Sequence, residues 1–251
     1  MIDLHAHLLP AVDDGARTLD DAAAALGRLA ADGVTRLACT PHLRASEAAA
    51  APAERHAALR AELQARAPST VALLAGFEIM LDRFGCDLSS PALRLGGAPV
   101  VLVEFSRAGV PPRAAHELGR IRESGVVPLV AHPERYFGCS AAHVREWRAA
   151  GAATQADATL LIGTGERAAL ARALLAEGLV DLIASDNHGD ARSMRPARDW
   201  LVEVGAAGQA ELLTERNARH LLAGEPLEPV APVVVAPPML HRLRDLLLGR
   251  A

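Results

Sequence analysis

The sequence predicts a single α/β domain in which seven strand–helix units form an imperfect parallel barrel. Three observations lead there. Short β-like runs alternate with longer runs rich in Ala, Leu and Arg, and that alternation implies parallel strands joined by right-handed crossovers. The chain has 251 residues, a common size for one barrel domain. Apolar residues make up 51% of it and aromatics only 3%, so a large core must be built from Leu, Val, Ile and Ala. An open doubly wound sheet is the alternative arrangement of the same elements.

The elements follow in order. "IDLH" at 2–5 reads as the first strand, and 18–32 as the first helix. That helix has good end signals. Thr18 with Asp21 resembles a capping box, and Gly33 suits the left-handed position past the last turn. Apolar runs at 34–39, 71–77, 100–105, 126–131, 153–156 and 180–184 supply the other strands. Helices are expected at 47–67, 111–124, 141–150, 164–177, 194–204 and 208–223. The domain is expected to occupy residues 1–225. Residues 226–251 begin with the Pro-rich "PLEPVAPVVVAPP", read as extended, and end in "MLHRLRDLLLGR", read as a short amphipathic helix docked on the barrel.

Composition excludes several functions. The net charge is -4, which argues against bulk nucleic-acid binding. All 26 basic residues are arginines. Without lysine there is no Schiff base, no Walker-type phosphate lysine and no carbamylated bridge between metals. Cys39, Cys86 and Cys139 follow no pattern, which suits reduced thiols and a cytoplasmic location. No signal peptide and no membrane span are expected.

Polar residues fall at one kind of place. His5 and His7 share a face of the first strand by alternation. Past or at the ends of later strands come His42 in "CTPHL", Glu78 in "GFE", Glu104 in "VLVEF", His132 in "LVAHPERY", and Asp186 and His188 in "IASDNHGD". Asp14 lies in the "DDG" turn after the first strand. Its neighbour Asp13 reads better as a structural group. Six of seven predicted strands thus deliver His, Asp or Glu at the carboxyl end, the rim where barrel active sites form. Nine such groups cannot satisfy one another when arginine is scarce among them, and buried carboxylates need partners. Divalent cations supply the missing charge. Mixed N and O ligands suit Mn, Fe or Zn, and nine ligands imply two or three ions.

These motifs resemble the PHP superfamily (polymerase and histidinol phosphatase). "MIDLHAHLLPAVDDGARTL", "CTPH", "LVEF", "AHPERY" and "IASDNH" are similar to the CpsB/YwqE-type bacterial protein-tyrosine phosphatases, over residues 1 to about 224. The resemblance implies a distorted (β/α)7 TIM-like barrel and three divalent ions, manganese first, with iron or zinc as alternatives. It implies one ion held by His5, His7, Glu78 and Asp186. Glu78 would bridge to a second, held also by Glu104 and His132, and Asp14, His42 and His188 would hold the third. Arg135 would bind phosphate. A second phosphate arginine is Arg192 or Arg195, with Arg192 preferred. The implied substrate is a phosphotyrosine protein, the C-terminal tail of a bacterial tyrosine kinase of capsule or exopolysaccharide synthesis. Hydrolysis would proceed directly through a metal-activated water.

Other readings compete. A histidinol-phosphatase-like enzyme would share the metals and the ester chemistry. A nuclease or nucleotide phosphoesterase lacks a basic groove here, and a non-catalytic binding module would leave the ligand set without purpose. Cys139 to Arg145 has the Cys-x5-Arg spacing of thiol phosphatases, but has no glycine to let backbone amides cradle phosphate. It reads as a helix start. Trp147 and Trp200 read as packing residues, and His56, His116, His143, His220 and His241 as surface or helix-packing groups. Tyr136 is left between substrate entrance and core. Oligomeric state is open, with a homo-oligomer among the outcomes.

Overall fold

The computed structural model describes residues 1–233. Its strands are β1 (Ile2–Ala6), β2 (Arg36–Cys39), β3 (His42–Arg44), β4 (Ala72–Ala75), β5 (Glu78–Met80), β6 (Val100–Glu104), β7 (Val127–Ala131), β8 (Ala153–Asp157) and β9 (Leu182–Ala184). Between and after them run α1 (Leu19–Ala31), α2 (Ala53–Arg66), α3 (Ala114–Glu123), α4 (Ala141–Ala149), α5 (Ala158–Leu161), α6 (Glu166–Ala176), α7 (Arg195–Glu203), α8 (Ala207–Glu211) and α9 (Asn217–Ala223).

Every strand pairing is parallel, as the alternation with helices requires. The strands form two sheets, β1-β2-β4 and β3-β5-β6-β7-β8-β9, rather than one closed sheet among the described residues. Two features link the sheets. An isolated bridge pairs Ala6 with Asn187, beside a hydrogen bond from the Asp186 amide to the His5 carbonyl at 3.0 Å. On the other side, the runs expected as single strands at 34–39 and 71–77 are each continued by a second piece. Pro41 lies in the first break and has no N–H for a ladder. Gly76 lies in the second, where a Cβ would stand 2.5 Å from Leu95 Cδ2. The breaks place His42 and Glu78 as the first residues of β3 and β5, where they are register partners.

Other boundaries also shift. The helix expected at 47–67 becomes a 3₁₀ segment, Ala45–Ala50, and then α2, because Pro52 interrupts it. The helix expected at 208–223 contains a π segment, Leu212–Arg216, between α8 and α9. The Thr214 hydroxyl donates to the Ala210 carbonyl there, at 2.7 Å, and such back-bonding loosens the helical ladder. The end signals of α1 hold: Thr18 Oγ1 accepts from the Asp21 amide at 3.0 Å, and Gly33 has φ +97°. The extended segment packs back on the domain as far as Val233, whose amide donates to the Leu175 carbonyl at 3.2 Å. The expected C-terminal amphipathic helix lies outside the described residues.

Strands buried on both faces sort their side chains by alternation. Along β6, Val101 and Val103, followed by Phe105, join the large cluster shared with the helices. Val100 and Leu102 join a smaller cluster with Leu129, Ala131, Ala153 and Leu182. Glu104 is the next residue in that second register. Trp147 and Tyr136 pack with Phe105 at ring separations of 5.4 and 5.7 Å. Both are buried, so Tyr136 is a core residue, and its hydroxyl donates to the Ala131 carbonyl at 2.5 Å. Among the described residues no helix is long and apolar enough to cross a membrane.

Candidate metal centre

The carboxyl ends of the strands and the loops after them bring the nine residues together. His5 comes from β1 and His7 directly follows it, while His42 comes from β3, Glu78 from β5 and Glu104 from β6. His132 follows β7, and Asp186 follows β9. Both take left-handed backbone, with φ 33° and 48°. A side-chain-bearing residue is strained there, and such strain is held only where the surroundings demand it.

The distances are short. His5 Nε2 and His7 Nε2 lie 3.1 Å apart. Glu78 Oε2 is 3.3 Å from each of them, and Asp186 Oδ1 is 3.3 and 3.4 Å from them. His42 Nδ1 lies 3.0 Å from Glu78 Oε2 and 3.6 Å from Glu104 Oε1. His132 Nε2 lies 2.8 Å from Glu78 Oε1. Asp14 Oδ1 is 3.3 Å from His42 Nε2 and 3.4 Å from His188 Nε2. Four overlapping groups could hold a cation: His7, Asp14, His42 and His188; His5, Glu78 and His132; His5, His7 and Asp186; His42, Glu78 and Glu104. His5, His7, His42 and Glu78 each belong to two groups, so the atoms allow more than one division among ions.

This donor set fits cations. Its nitrogen and carboxylate lone pairs face one another, with too few protons to satisfy them. The carboxylates show the strain. Burial and the neighbouring Glu78 charge push Glu104 up to about 7. Burial opposes ionisation of Glu78 too, but His5, His132 and His42 hold it well below its ordinary value. Burial also opposes charge on His7, yet hydrogen bonds to Asp13, Asp186 and Glu78 raise it. Burial and the nearby His7 lower His188. Each shift depends on an uneven sharing of protons that bound divalent ions would replace.

The surrounding residues orient these groups. Asp13 Oδ2 is 2.7 Å from His7 Nδ1, and its Oδ1 accepts from the Gly15 amide at 3.0 Å. Asp13 is thus the structural group expected of it. Gln155 Nε2 lies 2.9 Å from His5 Nδ1, while Gln155 Oε1 is buried without a partner. Arg135 contacts Asp157 and lies 2.6 Å from Asp186 Oδ2. Arg192 Nη1 approaches the same Asp186 oxygen at 3.4 Å, and its Nε donates to Asp190 at 2.8 Å. Arg195 instead pairs with Asp199 on α7 at 2.6 Å.

Gln155 and Asp157 were missed by the sequence reading, which ended that strand at 156 and assigned it no polar group. The signal was alternation: Ala153, Gln155 and Asp157 share one register. Cys139 and Arg145 do not form a phosphate loop. Ser140 is the N-cap of α4, Arg145 pairs with Glu177 at 2.5 Å, and burial pushes the Cys139 thiol up to about 12.

Fold and site define a parallel α/β protein with a cluster of His, Asp and Glu side chains at the carboxyl ends of its strands that could hold metal. The chain belongs to the capsular polysaccharide synthesis family CpsB/CapC, which matches residues 1–223. It is 29% identical over 199 residues to tyrosine-protein phosphatase YwqE of Bacillus subtilis (strain 168), covering 75% of this chain and 77% of that protein. It is 28% identical over 239 residues to tyrosine-protein phosphatase CpsB of Streptococcus pneumoniae, covering 88% and 98%. The fold matches one chain from the crystal structures of YwqE and CpsB, described as unique metal-dependent tyrosine phosphatases. There the TM-score is 0.78 at 26% identity, over 94% of this chain and 100% of that one.

Proposed function

We propose that this chain is a metal-dependent phosphomonoester hydrolase that removes phosphate from tyrosine side chains of protein. The carrying observation is the convergence of nine imidazoles and carboxylates on one rim, with Arg135 bound to one of them, Asp186. The relatives' names supply the substrate class. The chain's membership of a capsule-synthesis family supports the tail of a cognate tyrosine kinase as the substrate protein. Three ions, manganese first, fit nine ligands divided into overlapping groups. The free cysteines suit a reducing, cytoplasmic setting. The distorted (β/α)7 barrel draws support from the Ala6–Asn187 bridge and the two strand continuations. Residues 1–225 are read as the catalytic domain.

Bound divalent ions would neutralise phosphoryl oxygens and acidify a water. The chain's own residues do the rest. Asp13 accepts from His7 Nδ1, which leaves Nε2 as the ligand atom. With its amide turned, Gln155 Oε1 would accept from His5 Nδ1 in the same way. Asp157 and Asp186 hold the Arg135 fork at the rim, where it can take two phosphate oxygens. Arg192 adds a second guanidinium at the same Asp186 oxygen. A phenolate is a good leaving group, so less proton donation to it is required than for an alkoxide.

The test is hydrolysis of a phosphotyrosyl peptide with added Mn²⁺, Fe²⁺ or Zn²⁺, and with chelator. Turnover should require metal, and Glu78→Ala should lose both metal and activity. An enzyme inert with every metal would refute the proposal. Glu78→Ala with normal metal content and rate would refute the ligand assignment.

A further inference from the structure

Beside the centre lies a groove of about 390 Å³, in the size range of ligand sites. It runs between the loop after β6, the loop after β7 and the start of α6. Arg135 belongs to both places: it touches Asp186 of the centre and walls the groove. The groove therefore adjoins the centre at Arg135.

Two features of its wall matter. Arg107 and Arg167 are exposed there and make no ion pair among the described residues. Arg135, the third guanidinium of the wall, is paired with Asp157 and Asp186. Of the two carboxylates in the wall, Glu134 is buried, with its Oε1 accepting from the Asp157 amide at 2.6 Å, and Glu166 is exposed. Two unpaired guanidiniums thus face one exposed carboxylate. Phe137 is the second feature. Tyr136 turns into the core, but Phe137 is 79% exposed. Its loop is tied down by bonds from the Phe137 amide to the Arg107 carbonyl at 3.2 Å and from the Cys139 amide to the Tyr136 carbonyl at 3.1 Å. A large apolar ring is held in water on an anchored loop, in the same wall as the two cations.

We propose that this groove docks an acidic peptide segment flanking the phosphotyrosine, with Phe137 against its apolar or aromatic surface and Arg107 and Arg167 against its carboxylates. The inference rests on the phosphatase reading above. It follows from charge complementarity and from position. Arg135, shared by the centre and the groove, would lead the peptide of a phosphate held at the centre into the groove.

Three substrates test this: p-nitrophenyl phosphate, a phosphotyrosyl peptide flanked by glutamates, and the same peptide flanked by arginines. Wild type, Arg167→Glu and Phe137→Ala are compared in the Mn²⁺-loaded protein. Wild type should prefer the acidic peptide, increasingly so at low salt. Arg167→Glu should raise KM for the acidic peptide about five- to tenfold, lower it for the basic one, and leave kcat unchanged. Phe137→Ala should raise KM for both peptides about three- to tenfold. Neither variant should alter p-nitrophenyl phosphate turnover. Equal rates on both peptides, or equal losses on all three substrates, would overturn the groove. Fluorescence anisotropy of the labelled peptides gives a readout without turnover. If wild type hydrolysed no ester with any metal, the phosphatase reading would fail. Acidic-peptide binding abolished by Arg167→Glu would still support the groove, and its absence would sink that too.

Discussion

Gly15→Ala should damage stability and metal binding together. Gly15 sits in the turn that follows β1. Its amide donates to Asp13 Oδ1 at 3.0 Å, and the next amide, of Ala16, donates to the His7 carbonyl at 3.0 Å. A Cβ at position 15 would stand 2.0 Å from the His7 carbonyl oxygen, 2.5 Å from His7 Cβ and 2.8 Å from the carbonyl carbon. Two of these are backbone atoms and none can rotate away. Either the turn or the end of β1 must move, at the upper end of the overpacking range, about 3 kcal/mol. For a domain of this size that lowers Tm by about 6–12 °C. The same shift displaces His7, Asp13 and Asp14, so metal affinity should fall about 10–100-fold. Calorimetric melting in chelator and titration with Mn²⁺ measure both. Gly27→Ala is the control. It lies inside α1 with nothing within 4 Å of the new Cβ, and should stabilise by about 0.5–1 kcal/mol. A Gly15→Ala protein that melts with wild type and titrates normally would refute this account of the turn.

Asp157→Ala should leave Arg135 with Asp186 as its remaining partner, and the loosened guanidinium should cost about 10–100-fold in kcat/KM with metal content unchanged; steady-state kinetics beside metal analysis decide it, and an unchanged rate would remove Arg135's supposed support. Burial and Glu78 raise Glu104 from 4.5 to about 7. A raised carboxyl adds stability below pH 4.5 that is lost as pH climbs through 7 in metal-free protein. Bound metal displaces that proton, so the Tm gap between Mn²⁺-loaded and chelated protein should widen from pH 6 to pH 8, and a constant gap would count against Glu104 as a ligand. Cys139→Ala should retain kcat/KM within about twofold, because a thiol pushed up to about 12 by burial is no nucleophile at neutral pH; loss of turnover with an intact fold would revive the thiol route.

Strand positions and the polar residues at their ends were legible in the sequence because each depends on local alternation. The breaks at Pro41 and Gly76 were harder. They depend on what approaches the backbone from elsewhere, such as Leu95 against Gly76. Asp157 escaped by one residue of strand length. The choice between Arg192 and Arg195 turned on helix geometry: residue 195 opens α7 and pairs along it with Asp199, while residue 192 stays in the loop beside Asp186. No spacing rule separates two arginines three residues apart.

The sequence by itself determined the parallel α/β class, the nine ligand-type residues and the absence of lysine chemistry, since residue type and period need no distant partner. Tertiary structure alone decided which groups meet: the Glu78 carboxylate among His5, His7, His42 and His132, Arg135 beside Asp157 and Asp186, and exposed Phe137 in one groove wall with Arg107 and Arg167. Those contacts join residues far apart in the chain. They exist only once the strands lie side by side, and their energies depend on the burial that packing creates.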